Sequence, residues 1–239
     1  MKIIIVGDGA MGCAVKNLAE KMGFSVVGVV GQNLSDSKKS LYDISEKVHC
    51  LIDFSHKDNF DMIKEFCVAS STPAVLATTG YDENTEKAVE ELSKKVAVLR
   101  SANFSIGVNI LDMALKVILP KLKDFDVEIV ETHHNLKEDS PSGTAKKLAN
   151  TIKEIRPNAN FVYGRQGMGK RDTKDVGVFS IRGGSEVGRH EVMFFGKDES
   201  IFITHTAQSK AVFASGALRA AQWLKDKPKG LYAFEDCLR

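Results

Sequence analysis

Long apolar runs are missing from this chain of 239 residues. None approaches the roughly 20 residues a helix needs to cross a bilayer, which excludes a membrane-spanning helix. The opening run Met1-Lys2-Ile3-Ile4-Ile5-Val6-Gly7 is too short for a secretory core and reads as a strand. Cysteine is scarce: Cys13, Cys50, Cys67 and Cys237 stand far apart, with no Cys-x-x-Cys pair. That spacing argues against a zinc site and against a disulfide scaffold, so no metal is expected and a reducing cytoplasm is the expected location. Net charge is also lacking, at +2 from 33 basic and 31 acidic residues. So small an excess gives no field to attract nucleic acid, and any anionic ligand must be held by local groups. Internal repeats and low-complexity segments are absent too.

What is present is ordinary for a globular chain: 43% hydrophobic and 27% charged residues. Apolar, β-branched runs recur at Ile3–Val6, Val26–Val30, Cys50–Asp53, Ala74–Ala77 and Val96–Leu99. Helical patterns at Met11–Met22, Asn59–Ala69 and Glu83–Lys94 separate them. Continuous apolar strands alternating with amphipathic helices predict βαβ units and a parallel sheet covered on both faces. Near Ser101 the pattern changes. Ile106–Leu122 reads as a long helix with Pro120 near its end. Strands follow at Asp126–Thr132, Gly177–Ile181, Val187–Phe195 and Ile201–Thr206, with one helix at Ser142–Ile155. This predicts an α+β layer, a mixed sheet with helices on one side. Ser209–Lys225 is an alanine-rich helix expected to return to the first domain. The expected division is therefore 1–104 with 209–239 for dinucleotide binding, and 105–208 for substrate binding and oligomerisation. Gly164–Lys174 is expected to be a mobile loop. Ser180–Gly184 and Val187–Val192 resemble a β-hairpin joined by a glycine turn.

Gly7-Asp8-Gly9-Ala10-Met11-Gly12 fits G-x-G-x-x-G, with a strand before it and a helix after it. Gly7 permits the tight turn, Gly9 admits a pyrophosphate, and Gly12 lets helix and strand pack closely. The anion then meets free N–H groups at the positive helix end. At the end of the second strand an acid would favour NAD and an arginine NADP. Here stands Gly31-Gln32-Asn33, which is neither. Gln32 or Asn33 can bond either ribose, and Lys38 or Lys39 can reach a phosphate, so NADH and NADPH both stay open. The carboxyl ends of the later strands bring Ala77, Thr78 and Thr79 and then Ser101, Ala102, Asn103 and Phe104 to the cofactor side.

Glu131-Thr132-His133-His134-Asn135-Leu136-Lys137 leads from a strand toward Pro141-Ser142-Gly143-Thr144-Ala145 at a helix start. Two of the six histidines are adjacent here. Ser142 is a good N-cap, leaving the N–H groups of Gly143 and Thr144 to receive a carboxylate. Lys137 can pair with the same or a second carboxylate. Arg182 is either a carboxylate partner or a subunit or sheet-edge charge, and His190 reads as a packed or exposed strand residue rather than a catalyst.

Taken with Ile52-Asp53-Phe54-Ser55, Ala102–Asn109 and Arg182-Gly183-Gly184, the pattern Glu-x-His-His-x-x-Lys-x-Asp-x-Pro-Ser-Gly-Thr-Ala resembles the 4-hydroxy-tetrahydrodipicolinate reductase family, almost end to end. The resemblance implies a Rossmann-like cofactor domain, and a substrate domain whose sheet builds a homotetramer. It implies reduction of a small cyclic dicarboxylate by NADH or NADPH, with loss of water, in lysine and diaminopimelate biosynthesis. By the same resemblance His133 and Lys137 are catalytic, while His134, Gly143 and Thr144 bind substrate. A histidine with a pKa near ~6.5 can supply a proton at neutral pH, and a lysine can do so if its own is lowered. Which of the two delivers it stays open. Closure of the domains is expected. Two departures stand out: the glycine turn is one residue shorter than the longer family form, and Asp8 puts a negative charge beside the pyrophosphate, so its side chain must point away. Another two-domain amino-acid dehydrogenase would explain the turn but not the His133–Thr144 pattern. A non-catalytic dinucleotide sensor would require a basic or DNA-reading face.

Overall fold

The computed structural model describes residues 1–239, which fall into two compact units, 1–106 with 210–239 and 107–209. In the first unit the chain runs β1 (Lys2–Val6), α1 (Ala10–Lys21), β2 (Ser25–Val30), β3 (Cys50–Asp53), α2 (Phe60–Ser70), β4 (Ala74–Leu76), α3 (Glu83–Ser93) and β5 (Ala97–Arg100). The second unit continues with α4 (Ile106–Ile118), β6 (Asp126–His133), α5 (Gly143–Ile155), β7 (Asn160–Val162), β8 (Asp175–Arg182), β9 (Gly188–Phe195) and β10 (Ser200–Ala207). Then α6 (Ala211–Leu224) and β11 (Gly230–Tyr232) rejoin the first.

The first sheet has the order β11-β5-β4-β3-β1-β2, and every pairing is parallel. Alternation along each strand sends Ile3, Ile5 and Ile52 to one face and Ile4, Val6 and Leu51 to the other. The first set packs under α6, whose Ala214, Ala217, Ala220 and Ala221 let that helix lie close. The second packs under α2 through Ile63 and Phe66 and under α3 through Val89 and Leu92. Both faces are covered, which is why these strands are apolar without interruption.

The second sheet is mixed, with the order β10-β9-β6-β8-β7. On one face Val127, Ile129, Val176, Val178, Val192 and Phe194 pack against Leu111 and Leu115 of α4 and Leu148 and Ile152 of α5. On the opposite face Ile181, Phe195 and Phe202 are exposed, and the last two meet ring to ring at 5.7 Å.

Two expectations need correction. The hairpin of β8 with β9 does not form: β6 lies between them, parallel to β8 and antiparallel to β9. A strand some fifty residues upstream has taken the place that the glycine turn appeared to reserve. The helix Ile106–Leu122 stops at Ile118 and tightens into a 3₁₀ turn at Leu119–Lys121, because Pro120 has no N–H for the helical ladder. Gly164–Lys174 has no helix or strand, as the loop reading expected, and two of its arginines reach the sheet. Arg165 bonds Glu128 at 2.8 Å, and Arg171 bonds Asp126 at 2.6 Å.

Candidate active site

The glycine turn is built as its motif requires. Gly7 has φ of +102°, and a β-carbon on it would lie 2.4 Å from the Phe54 carbonyl oxygen. One on Gly12 would lie 1.8 Å from the Gly7 carbonyl oxygen, whereas one on Gly9 would meet nothing within 4 Å. The N-terminus of α1 has no side-chain cap and no acid in its first turn, so its N–H groups stay open to an anion. In front of it lies a cavity of about 520 Å³ lined by Gly7, Gly9, Gln32, Lys39, Phe54 and His56. A dinucleotide's pyrophosphate fits these features. Gly12→Ala is expected to push α1 off β1, costing about 1–3 kcal/mol and weakening nucleotide binding. Thermal unfolding and a nucleotide titration would check both.

Asp8 does point away from the turn. Its carboxylate accepts from Asn33 N–H at 2.6 Å, Asn33 Nδ2 at 2.6 Å, Leu34 N–H at 3.0 Å and Ser37 Oγ at 3.0 Å. Burial raises its pKa, but these four bonds outweigh that and hold it well below the usual carboxylate range. Asn33 thereby anchors Asp8 through its backbone N–H and its Nδ2, and it remains exposed in the wall of the same cavity.

The later cofactor-side residues divide. Thr79 and Ala102 are exposed and Ala10 opens the first turn of α1, while Met11 packs into the core beneath. Ala77 and Thr78 are buried. Thr78 Oγ1 accepts from Ser55 N–H at 3.0 Å, beside the fully buried Asp53, which takes Ser55 Oγ at 2.6 Å and Tyr81 Oη at 3.2 Å. Burial lifts the Asp53 pKa above its ordinary value. Ser101 and Asn103 close a local turn, with Ser101 Oγ donating to the Asn103 carbonyl at 2.8 Å. Phe104 turns its ring into the core, against Phe54 and Phe234, so only its backbone can meet a ligand.

In the second unit, β6 ends at His133, and its Nδ1–H donates to Glu131 Oε2 at 2.5 Å. Glu131 is fully buried and receives the Arg182 guanidinium in two bonds of 2.9 and 2.8 Å. Ser142 N–H reaches its Oε1 at 3.1 Å. Burial raises the Glu131 pKa, but these donors, Arg182 foremost, bring it down to about 2. An ionised carboxylate on Nδ1 leaves Nε2 as the working nitrogen of His133. Arg182 thus pairs bidentately with a carboxylate, and that carboxylate is the chain's own Glu131. His190, read as an ordinary strand residue, stacks edge-on to His133 at 5.1 Å and lies 2.9 Å from Ser142 Oγ. Burial, and then the neighbouring His133, lower its pKa to about 4, so it is neutral at physiological pH.

Ser142 caps α5, accepting from Ala145 N–H at 3.2 Å. Gly143 is exposed, with open space where a side chain would be, and no acid stands in the first turn. Thr144 is half-buried beside it. Beyond the strand, His134 is half-buried, and Lys137 pairs with Asp139 at 2.5 Å.

Residues 1–104 match the family description "Dihydrodipicolinate reductase, N-terminus" and residues 107–238 match "Dihydrodipicolinate reductase, C-terminus". The chain belongs to the dihydrodipicolinate reductase family. It is 40% identical to 4-hydroxy-tetrahydrodipicolinate reductase of Brachyspira hyodysenteriae across all of both chains. It is 43% identical to that of Staphylococcus carnosus across 99% of both. The fold matches a dihydrodipicolinate reductase from Paenisporosarcina at a TM-score of 0.80 and 20% identity, over 98% of this chain and 97% of the other. The protein is accordingly an NAD(P)H-dependent oxidoreductase that converts 4-hydroxy-tetrahydrodipicolinate to tetrahydrodipicolinate in lysine biosynthesis, and the rival dehydrogenase and sensor readings fall.

Proposed function

We propose that His133 and Lys137 are the catalytic pair of this reductase, with His133 Nε2 delivering the proton. The observation that carries this is the Glu131 clamp, which fixes the ring by Nδ1 and leaves the other nitrogen to exchange a proton. A reduced nicotinamide, either NADH or NADPH, supplies the hydride when bound. Gly7–Gly12 hold its pyrophosphate through the α1 N-terminus. Thr79, Ala102, Asn103 and the backbone of Phe104 flank the same carboxyl edge of the sheet, and Ala77, Thr78 and Ser101 shape it from behind. The substrate is a small cyclic dicarboxylate, in keeping with the relative from Paenisporosarcina, described as dipicolinate-bound. One carboxylate is received by Gly143 and Thr144 at the open end of α5. His134 and the Lys137 ammonium serve the rest of the ring. The apolar face around Phe195 and Phe202 pairs with further copies of this chain in a homotetramer. No helix is long and apolar enough to cross a membrane, and the scarce, unpaired cysteines suit the cytoplasm.

The test is nucleotide oxidation by purified protein, coupled to a synthase that generates the unstable substrate. Substrate-dependent oxidation is expected. Its absence in folded protein that binds a nucleotide would overturn the assignment.

A further inference from the structure

The end of β2 lacks the acidic residue with which many dinucleotide folds hold the adenosine ribose. Gly31 stands at that end, and it is not empty space. A β-carbon on Gly31 would lie 2.0 Å from Asp8 Cγ and 2.3 and 2.4 Å from its two oxygens. The carboxylate of Asp8, arriving from the glycine turn, fills the volume that a side chain of β2 would otherwise enter. It lines the same cavity as Gly7 and Gly9.

We propose that Asp8 is the nucleotide-specificity residue of this chain, replacing the missing β2 acid and selecting NADH over NADPH. The proposal rests on the reductase reading above and adds which reductant that site takes.

Three features support it. The carboxylate is buried, at 5% exposure, and is held on three residues of the loop that follows β2, so it cannot swing away from an arriving phosphate. Oδ2 takes three donors, whereas Oδ1 takes only Asn33 Nδ2, leaving acceptor capacity for a ribose hydroxyl. A fixed negative charge at low dielectric opposes a phosphate dianion far more than one in water would. Lys39 also lines the cavity, but it is exposed, and solvent screens its ammonium. The same four hydrogen bonds make Asp8 a clamp on the Asn33–Ser37 loop, so its charge and the loop's shape are set together.

The experiment measures dissociation constants of NADH and NADPH by calorimetry, without substrate, for the native protein and for Asp8→Asn. The amide keeps the carboxylate's shape and can still accept from the Asn33 and Leu34 N–H groups, so the loop keeps its anchor. Native protein should bind NADH more tightly. In Asp8→Asn the NADPH-to-NADH affinity ratio should rise by about tenfold or more. A parallel titration with AMP and with 2′,5′-ADP should show the same shift, tying it to the 2′-phosphate. Native protein that binds NADPH as well as or better than NADH would overturn the proposal, whatever the variant does. So would an unchanged ratio in the variant. Binding of neither nucleotide would overturn it together with the function it rests on, whereas equal binding of both overturns this inference alone.

Discussion

Replacing His133 with glutamine should lower kcat by on the order of 10²–10⁴ while leaving nucleotide affinity as it was. Glutamine keeps hydrogen-bonding atoms at the end of β6 but cannot exchange a proton near neutral pH. Glu131 keeps its two bonds from Arg182, so the variant has no unpaired buried charge and should fold. The nucleotide-binding turn, Gly7–Gly12, is made of other residues altogether. Turnover and a nucleotide titration on the same preparation separate the two effects. Turnover within a few-fold of native would remove His133 from the chemistry and leave Lys137 as the donor.

The Arg182→Ala variant should lose about 3–5 kcal/mol of stability near neutral pH, the usual cost of stripping one partner from a buried pair. The pH profile should flatten in acid as well. In the native protein the Glu131 carboxyl is depressed to about 2 from an ordinary 4.5. Its stabilisation is therefore full above that ordinary value and fades as the pH falls toward 2. Without Arg182 the largest of the lowering bonds is gone, and the pKa of Glu131 rises back toward its ordinary value. The variant should thus lose less stability than native protein as the pH falls from about 4.5 toward about 2. Urea midpoints across that range would show it. A small, pH-independent loss would mean that Glu131 does not depend on Arg182.

Much of this was legible in the sequence, and what was not has a physical reason. The strands of the first unit declared themselves because both sheet faces are covered, so that Ile3 through Val6 are apolar in succession. Their ends came within a residue or two. Strands β7 and β11, three residues each, are too short to show a period. The false hairpin had every local feature of a true one. What separates β8 from β9 is β6, and no local pattern announces a strand inserted from so far upstream. At the site, the Ser142 cap could be read because a cap acts over three residues. The Glu131–Arg182 clamp could not, because its members stand 51 positions apart and meet only through the pairing of β6 with β8. Asp8 was read as a liability of the turn. Its partners on Asn33, Leu34 and Ser37 emerge only once β1 and β2 lie side by side.

The place of β6 has a consequence for motion. Ladders on both sides hold it along its length, and at its end Gly183 N–H still donates to the His133 carbonyl at 2.9 Å. The β8 ladder reaches the histidine itself and the β9 ladder ends one residue before it, at Thr132, so its amides should exchange with solvent far more slowly than those of the turn beyond. Four residues on, Lys137 hangs from a turn closed by its own N–H to the His134 carbonyl at 3.2 Å, a bond that opens cheaply. One proton-bearing group is thus mounted at the end of a central strand and the other on a turn. A bound substrate would have to find the histidine where it stands, and would draw the lysine to itself.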